Sequence, residues 1–160
     1  MIYRHLAAVV AVLCLSGPAL ADWTYRAPSA AGDVGDARVT VGNRTLSVGC
    51  GRDGVVAVTI EPGVPSLGAT ATDLRVGFVF DNNSSSRIDV PMVCLAQGCY
   101  RGEVPGRGID EEAAALVSRL QRGLTLQVYF REREMGEVTL RGSNAAILKL
   151  KAAAPNCVGL

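Results

Sequence analysis

Residues 22–160 predict a mainly β domain, an antiparallel sandwich or barrel-like sheet with one or two short helices, on three observations. Short runs with period-two alternation recur between turn signals, as in "ARVTV", "TLSVGC", "VVAVTIE" and "LTLQVYF". Helical spacing with start and stop chemistry is confined to two stretches, about 110–122 and 144–152. Neither an internal repeat nor a second long apolar run divides the region, so it reads as a single domain.

The first 21 residues stand apart. Arg4 supplies a short positive start, Leu6 to Leu15 an apolar stretch, and Ala19-Leu20-Ala21 a small-residue cleavage signature. That stretch falls short of the roughly 20 residues of a membrane span. The expectation is a secretory signal peptide over 1–21, cleaved between Ala21 and Asp22, and a periplasmic or secreted product. Leu13 precedes Cys14 where lipoprotein processing favours a small residue, which argues against a lipid anchor.

Residues 22–37, rich in small residues, read as a loosely held N-terminal arm that Trp23 and Tyr25 can anchor at alternate positions. "ARVTV" (37–41) leads through "GNR" into "TLSVGC" (45–50), with Leu46, Val48 and Cys50 on one face. "GRDG" turns into "VVAVTIE" (55–61), with Val56, Val58 and Ile60 together. "PGVPSLGATATD" holds two prolines and two glycines and reads as a longer loop.

"LRVGFVFD" (74–81) is a largely apolar run that suits a central strand, with Val76, Phe78 and Phe80 inward, bounded by the turn "NNSSS". "RIDVPMVC" (87–94) is a further strand whose Pro91 favours an edge position or a bulge. In "DEEAAALVSRLQRG" (110–123), Asp110 caps the start, and Glu111 and Glu112 suit the positive end of the helix dipole. Ala113, Leu116, Val117 and Leu120 form an apolar stripe, and Gly123 stops the helix. "LTLQVYF" (124–130) returns to strand, with Leu124, Leu126, Val128 and Phe130 on one face. A hairpin through "REREMGE" leads to "VTLRG" (138–142), and Ser143 or Asn144 caps the last helix.

Composition excludes several chemistries. Taking Arg4 away with the leader leaves equal numbers of acidic and basic residues, so no electrostatic footprint for nucleic acid remains. Arginine outnumbers lysine, and alanine and glycine abound, which suits a GC-rich bacterial source. The single histidine, His5, lies in the leader. Residues 22–160 therefore cannot build a Ser-His-Asp or Cys-His nucleophile pair, or a histidine-ligated metal site. No cofactor or metal motif is read, and no catalytic residue is assigned.

Of five cysteines, four follow the leader: Cys50, Cys94, Cys99 and Cys157. An even count in an exported chain reads as a disulfide framework with three possible connectivities. Cys94 and Cys99 flank "LAQG", a plausible four-residue hairpin loop in which Gly98 can take positive φ, so they pair; Cys50 then pairs with Cys157. Thiol exchange through Cys94 and Cys99 is the competing reading. It lacks the two-residue spacing and the helix N-terminus that activate such cysteines.

Other clusters favour plain readings. Glu132, Glu134 and Glu137 offer paired carboxylates, but read as the solvated end of a charged hairpin. Asp81, Asn82 and Asp89 lack the graded spacing of a calcium loop and read as a polar turn.

The order "VPMVCLAQGC", "LVSRLQRG", "LTLQVYF", "VTLRGSNAAILKL" resembles the invasion-associated locus B family of small exported bacterial proteins. Cys94, Gly98, Cys99, Leu120, Gly123, Leu140, Gly142 and Ala146 occupy matching roles. The chain lacks the cysteine that this family has shortly after the tryptophan. "TLSVGC" with a C-terminal partner is similar instead to small type VI secretion-associated periplasmic proteins. The resemblance implies a disulfide-bonded β-sandwich of the cell envelope without established enzymatic chemistry.

The expected function is therefore non-enzymatic binding of another envelope or host protein. The expected contact residues are Leu95, Gln97, Tyr100 and Arg101, because a crosslinked loop loses less entropy on binding. Two alternatives are thiol-disulfide exchange at Cys94 and Cys99, and inhibition of an envelope hydrolase by the same loop.

Overall fold

The structure is a computed structural model that describes residues 22–52, 54–64, 72–101 and 111–160. Ala21 and the rest of the leader, and the capping residue Asp110, lie outside the described residues. Among the described residues, nine strands form one antiparallel sheet: β1 (Thr24–Arg26), β2 (Asp36–Val41), β3 (Arg44–Cys50), β4 (Val56–Glu61), β5 (Thr72–Phe80), β6 (Asn83–Cys94), β7 (Cys99–Arg101), β8 (Thr125–Phe130) and β9 (Arg133–Thr139). The described residues also form two helices, α1 (Glu111–Leu120) and α2 (Ser143–Ala153). Mainly β, antiparallel, two helices and two disulfides is thus the observed class.

Strand order is β1-β2-β3-β4-β7-β6-β5-β8-β9. Within the sheet, β7 alone joins the β1–β4 half to the half built from β5, β6, β8 and β9. The sheet curls until β9 meets β2; the Met135 carbonyl lies 3.0 Å from where a Cβ on Gly42 would sit. The gap is glycine's to fill, and Gly42 at φ 61° also supplies the positive-φ corner of the two-residue β2–β3 turn.

Alternation places Val39, Leu46, Val58, Phe78, Met92, Leu126 and Val128 in one interior. Helix α1 packs against β4 and β6, and α2 against β1 and β2. The α1 stripe of Ala113, Leu116, Val117 and Leu120 is fully buried, as its spacing predicts. Each of the two leucines contributes about 1.5–3 kcal/mol by that burial.

Several local readings change. The N-terminal arm is anchored at its start: β1 pairs with β2, Trp23 is buried, and its backbone N–H donates to the Arg141 carbonyl. Arg26 bridges Asp33 and Asp36, closing the arm on itself. The β5–β6 turn is Asp81-Asn82, both at positive φ, and "NSSS" opens β6 instead of forming the turn. Asx residues tolerate that conformation, and its twist suits a hairpin.

Pro91 lies in a central strand, and the irregularity in β5–β6 falls between Phe78 and Phe80. The described residues of β7 pair only with Val93 and Cys94, so Pro91 sits past that ladder. Leu124 precedes β8 and is exposed, with its backbone N–H donated to Asp81. Neither Ser143 nor Asn144 caps α2. Gly142 does so at φ 83°, while the buried Ser143 hydroxyl donates to the Leu120 carbonyl at 2.6 Å. That bond satisfies a terminal acceptor of α1 and ties the two helices together.

Candidate functional site

Both disulfides take the expected pairing, Cys94–Cys99 and Cys50–Cys157. Cys94 and Cys99 face one another across β6 and β7 and are fully buried. Between them, Leu95 N–H donates to the Gly98 carbonyl at 2.8 Å, closing the loop. Segment 63–64 lies against this loop: Gly63 donates to Ala96 and Val64 to Leu95. A Cβ on Gly63 would collide with the Leu95 carbonyl, so the close approach requires glycine.

The four residues expected to meet a partner divide. Gln97 is exposed at the loop tip. Tyr100 is 37% exposed, with its ring over Gly98 and its hydroxyl toward Glu61. Burial of its inner edge and the Glu61 charge push the Tyr100 hydroxyl above its usual value. Leu95 is half-buried and its backbone is committed on both sides. Arg101 is held by Glu112 of α1 at 2.6 Å. Sequence reasoning missed Val93, 46% exposed and directly opposite Tyr100. Its signal was available: it precedes an inward Cys94 and must point out.

The acidic clusters are not assembled into sites. Glu132 meets Arg87, Glu137 accepts from Gln127, and Glu134 is exposed. Asp81 accepts the backbone N–H groups of Leu124 and Thr125, which hold its carboxyl below the ordinary range. Asp89 faces Arg87 instead.

A second candidate was not anticipated. At one end of the curled sheet, a cavity of about 780 Å³ is lined by the β2–β3 turn, Val64, Leu74 and the β8–β9 turn. Its charged rim is Arg44, Arg131 and Arg133 with Glu132 and Glu134; its apolar wall is Val64, Leu74, Phe130 and Met135. The Arg44 guanidinium lies over the Phe130 ring, 5.4 Å from its centroid, and donates to the Gly63 carbonyl and to Asn43. Among the described residues, its buried Nε has no partner. Burial first, and then the charge of Arg133, pull Arg44 below the usual guanidinium value. Arg131 stands at φ 50°, in the left-handed region. The available signal was two arginine-bearing turns, "GNR" and "RER", whose proximity only the curl of the sheet creates.

No helix among the described residues is long and apolar enough to cross a membrane. Comparison with protein-family models, curated proteins and solved structures gives no match.

Proposed function

We propose that the chain is an exported, non-enzymatic binding domain that recognises an envelope or host protein through the outer face of its stapled hairpin. One observation carries this reading. Val93 and Tyr100, both substantially exposed, stand side by side on a crosslinked hairpin, with Gln97 at its tip. A surface fixed by a covalent tie and by backbone bonds to Gly63 and Val64 loses little freedom on association. Tyrosine suits the centre of such a contact, offering apolar area and a polar end.

Two intact disulfides are compatible with an oxidising compartment. The resemblance to the invasion-associated locus B family supports an envelope setting. Thiol exchange has weaker support, because an attacking thiolate needs access and both Cys94 and Cys99 are fully buried. Leu95, half-buried, and Arg101, paired with Glu112, flank this surface, so Val93, Gln97 and Tyr100 carry most of the proposed contact.

The test is a photo-crosslinking side chain at Gln97, with and without Tyr100→Ala or Val93→Asp, in envelope fractions. The expected result is one discrete adduct, lost in either variant while the melting curve stays cooperative. An adduct pattern unchanged by both folded variants would overturn the assignment.

A further inference from the structure

The rim of the arginine-bearing cavity carries three arginines and two glutamates among the described residues, a net positive charge. Among the described residues, no carboxylate forms an ion pair with Arg44, Arg131 or Arg133. The Arg44 partners, the Gly63 carbonyl and the Asn43 amide oxygen, are both neutral. A half-buried guanidinium facing another arginine is stabilised by an anion that brings a full negative charge. The neighbouring wall is apolar, so the best complement is an anion attached to an apolar body.

The size fits a small molecule, since ligand sites run from about 300 to 1,000 Å³. Below it, the space among Val41, Leu46, Ile60, Val128 and Met135 shrinks to about 10 Å³. An acyl chain therefore stays in the outer cavity and does not thread the interior. Glu134 on the rim repels a polyvalent anion, and Glu132 is already drawn to Arg87. A single negative charge matches best.

We propose that this cavity binds a monovalent amphipathic carboxylate of the fatty-acid type. The carboxylate sits on Arg44 and Arg133, and the chain lies along Val64, Leu74, Phe130 and Met135. The proposal rests on different residues from the protein-binding reading above and is tested separately.

The experiment is isothermal titration calorimetry of the full exported chain with dodecanoate below its micelle concentration. Dodecanol and dodecyltrimethylammonium serve as neutral and cationic comparisons. Saturable binding of dodecanoate is expected, with either comparison at least about tenfold weaker, the effect of losing one charge-assisted hydrogen bond. Arg44→Gln and Arg133→Gln are each expected to weaken dodecanoate about tenfold, and Leu74→Asp to abolish it. Arg133 is exposed, so its variant keeps the test decisive if Arg44→Gln fails to fold. Equal binding of dodecanol, unchanged binding in Arg133→Gln, or no binding up to about 1 mM would overturn the proposal.

Discussion

Replacing Cys50 and Cys157 together by alanine isolates what the long crosslink does. The bond spans 107 residues and joins the end of β3 to the tail beyond α2. In the chain-entropy relation, closing a loop of that length removes freedom from the unfolded chain equivalent to about 5 kcal/mol at 25 °C. The folded state has other means of keeping the tail in place. Val56 N–H donates to the Val158 carbonyl at 2.9 Å, and Val158 N–H to the Gly54 carbonyl at 2.8 Å. The double variant should therefore keep its fold and far-ultraviolet spectrum. In urea titrations its unfolding free energy should fall by about 4–5 kcal/mol, and its m-value should rise as the unfolded state expands. Domains of this size hold about 5–15 kcal/mol in total, so the loss is large but measurable. A loss under about 2 kcal/mol with an unchanged m-value would refute the reasoning and place the effect in native contacts.

Ser143→Ala deletes the only hydrogen bond the buried Ser143 hydroxyl donates and orphans the Leu120 carbonyl; stability should drop by about 1–3 kcal/mol in thermal melts. Ser143→Thr, which keeps a hydroxyl, should recover part of that loss. For Asp36, burial raises the carboxyl, but hydrogen bonds from Arg38 and Arg26 outweigh it and hold its pKa below the ordinary value. A depressed carboxyl stabilises above the unfolded pKa of about 3.9, and that contribution is lost as pH falls through the folded value. Asp36→Asn should thus be less stable at pH 7 by about 1–2 kcal/mol, with both arginines partly exposed, and show a flatter loss below pH 4 in urea titrations.

Strand parity and helix spacing were legible wherever local chemistry and tertiary burial agree. Val76, Phe78 and Phe80 face the core because a central strand's alternation meets no competing demand. The α1 stripe emerged whole for the same reason. Misreadings fall where a distant group intervenes. Leu124 belongs by pattern to the inward face of β8, yet Asp81, 43 residues away, captures its N–H, and the strand begins one residue later, at Thr125. Ser143 has the composition of a helix cap, but the Leu120 carbonyl, 23 residues away, offers its hydroxyl a buried acceptor. Trp23 reads as part of a loosely held arm, and its anchorage depends on Arg141, far along the chain, which accepts its backbone N–H.

The two candidate sites were unequally legible for a related reason. The stapled hairpin is local: its cysteines lie five positions apart, and spacing alone suggests the bond. The cavity brings together two turns that are far apart in sequence, at Arg44 and Arg131, and turns rich in arginine look like ordinary solvated corners. Yet the two are mechanically joined. The stapled loop's carbonyls at Leu95 and Ala96 hold the N–H groups of Val64 and Gly63, and the Gly63 carbonyl in turn accepts from Arg44. The short disulfide thus does more than shape a loop. It secures β7, the strand that joins the two halves of the sheet, and through segment 63–64 it fixes where the half-buried guanidinium points.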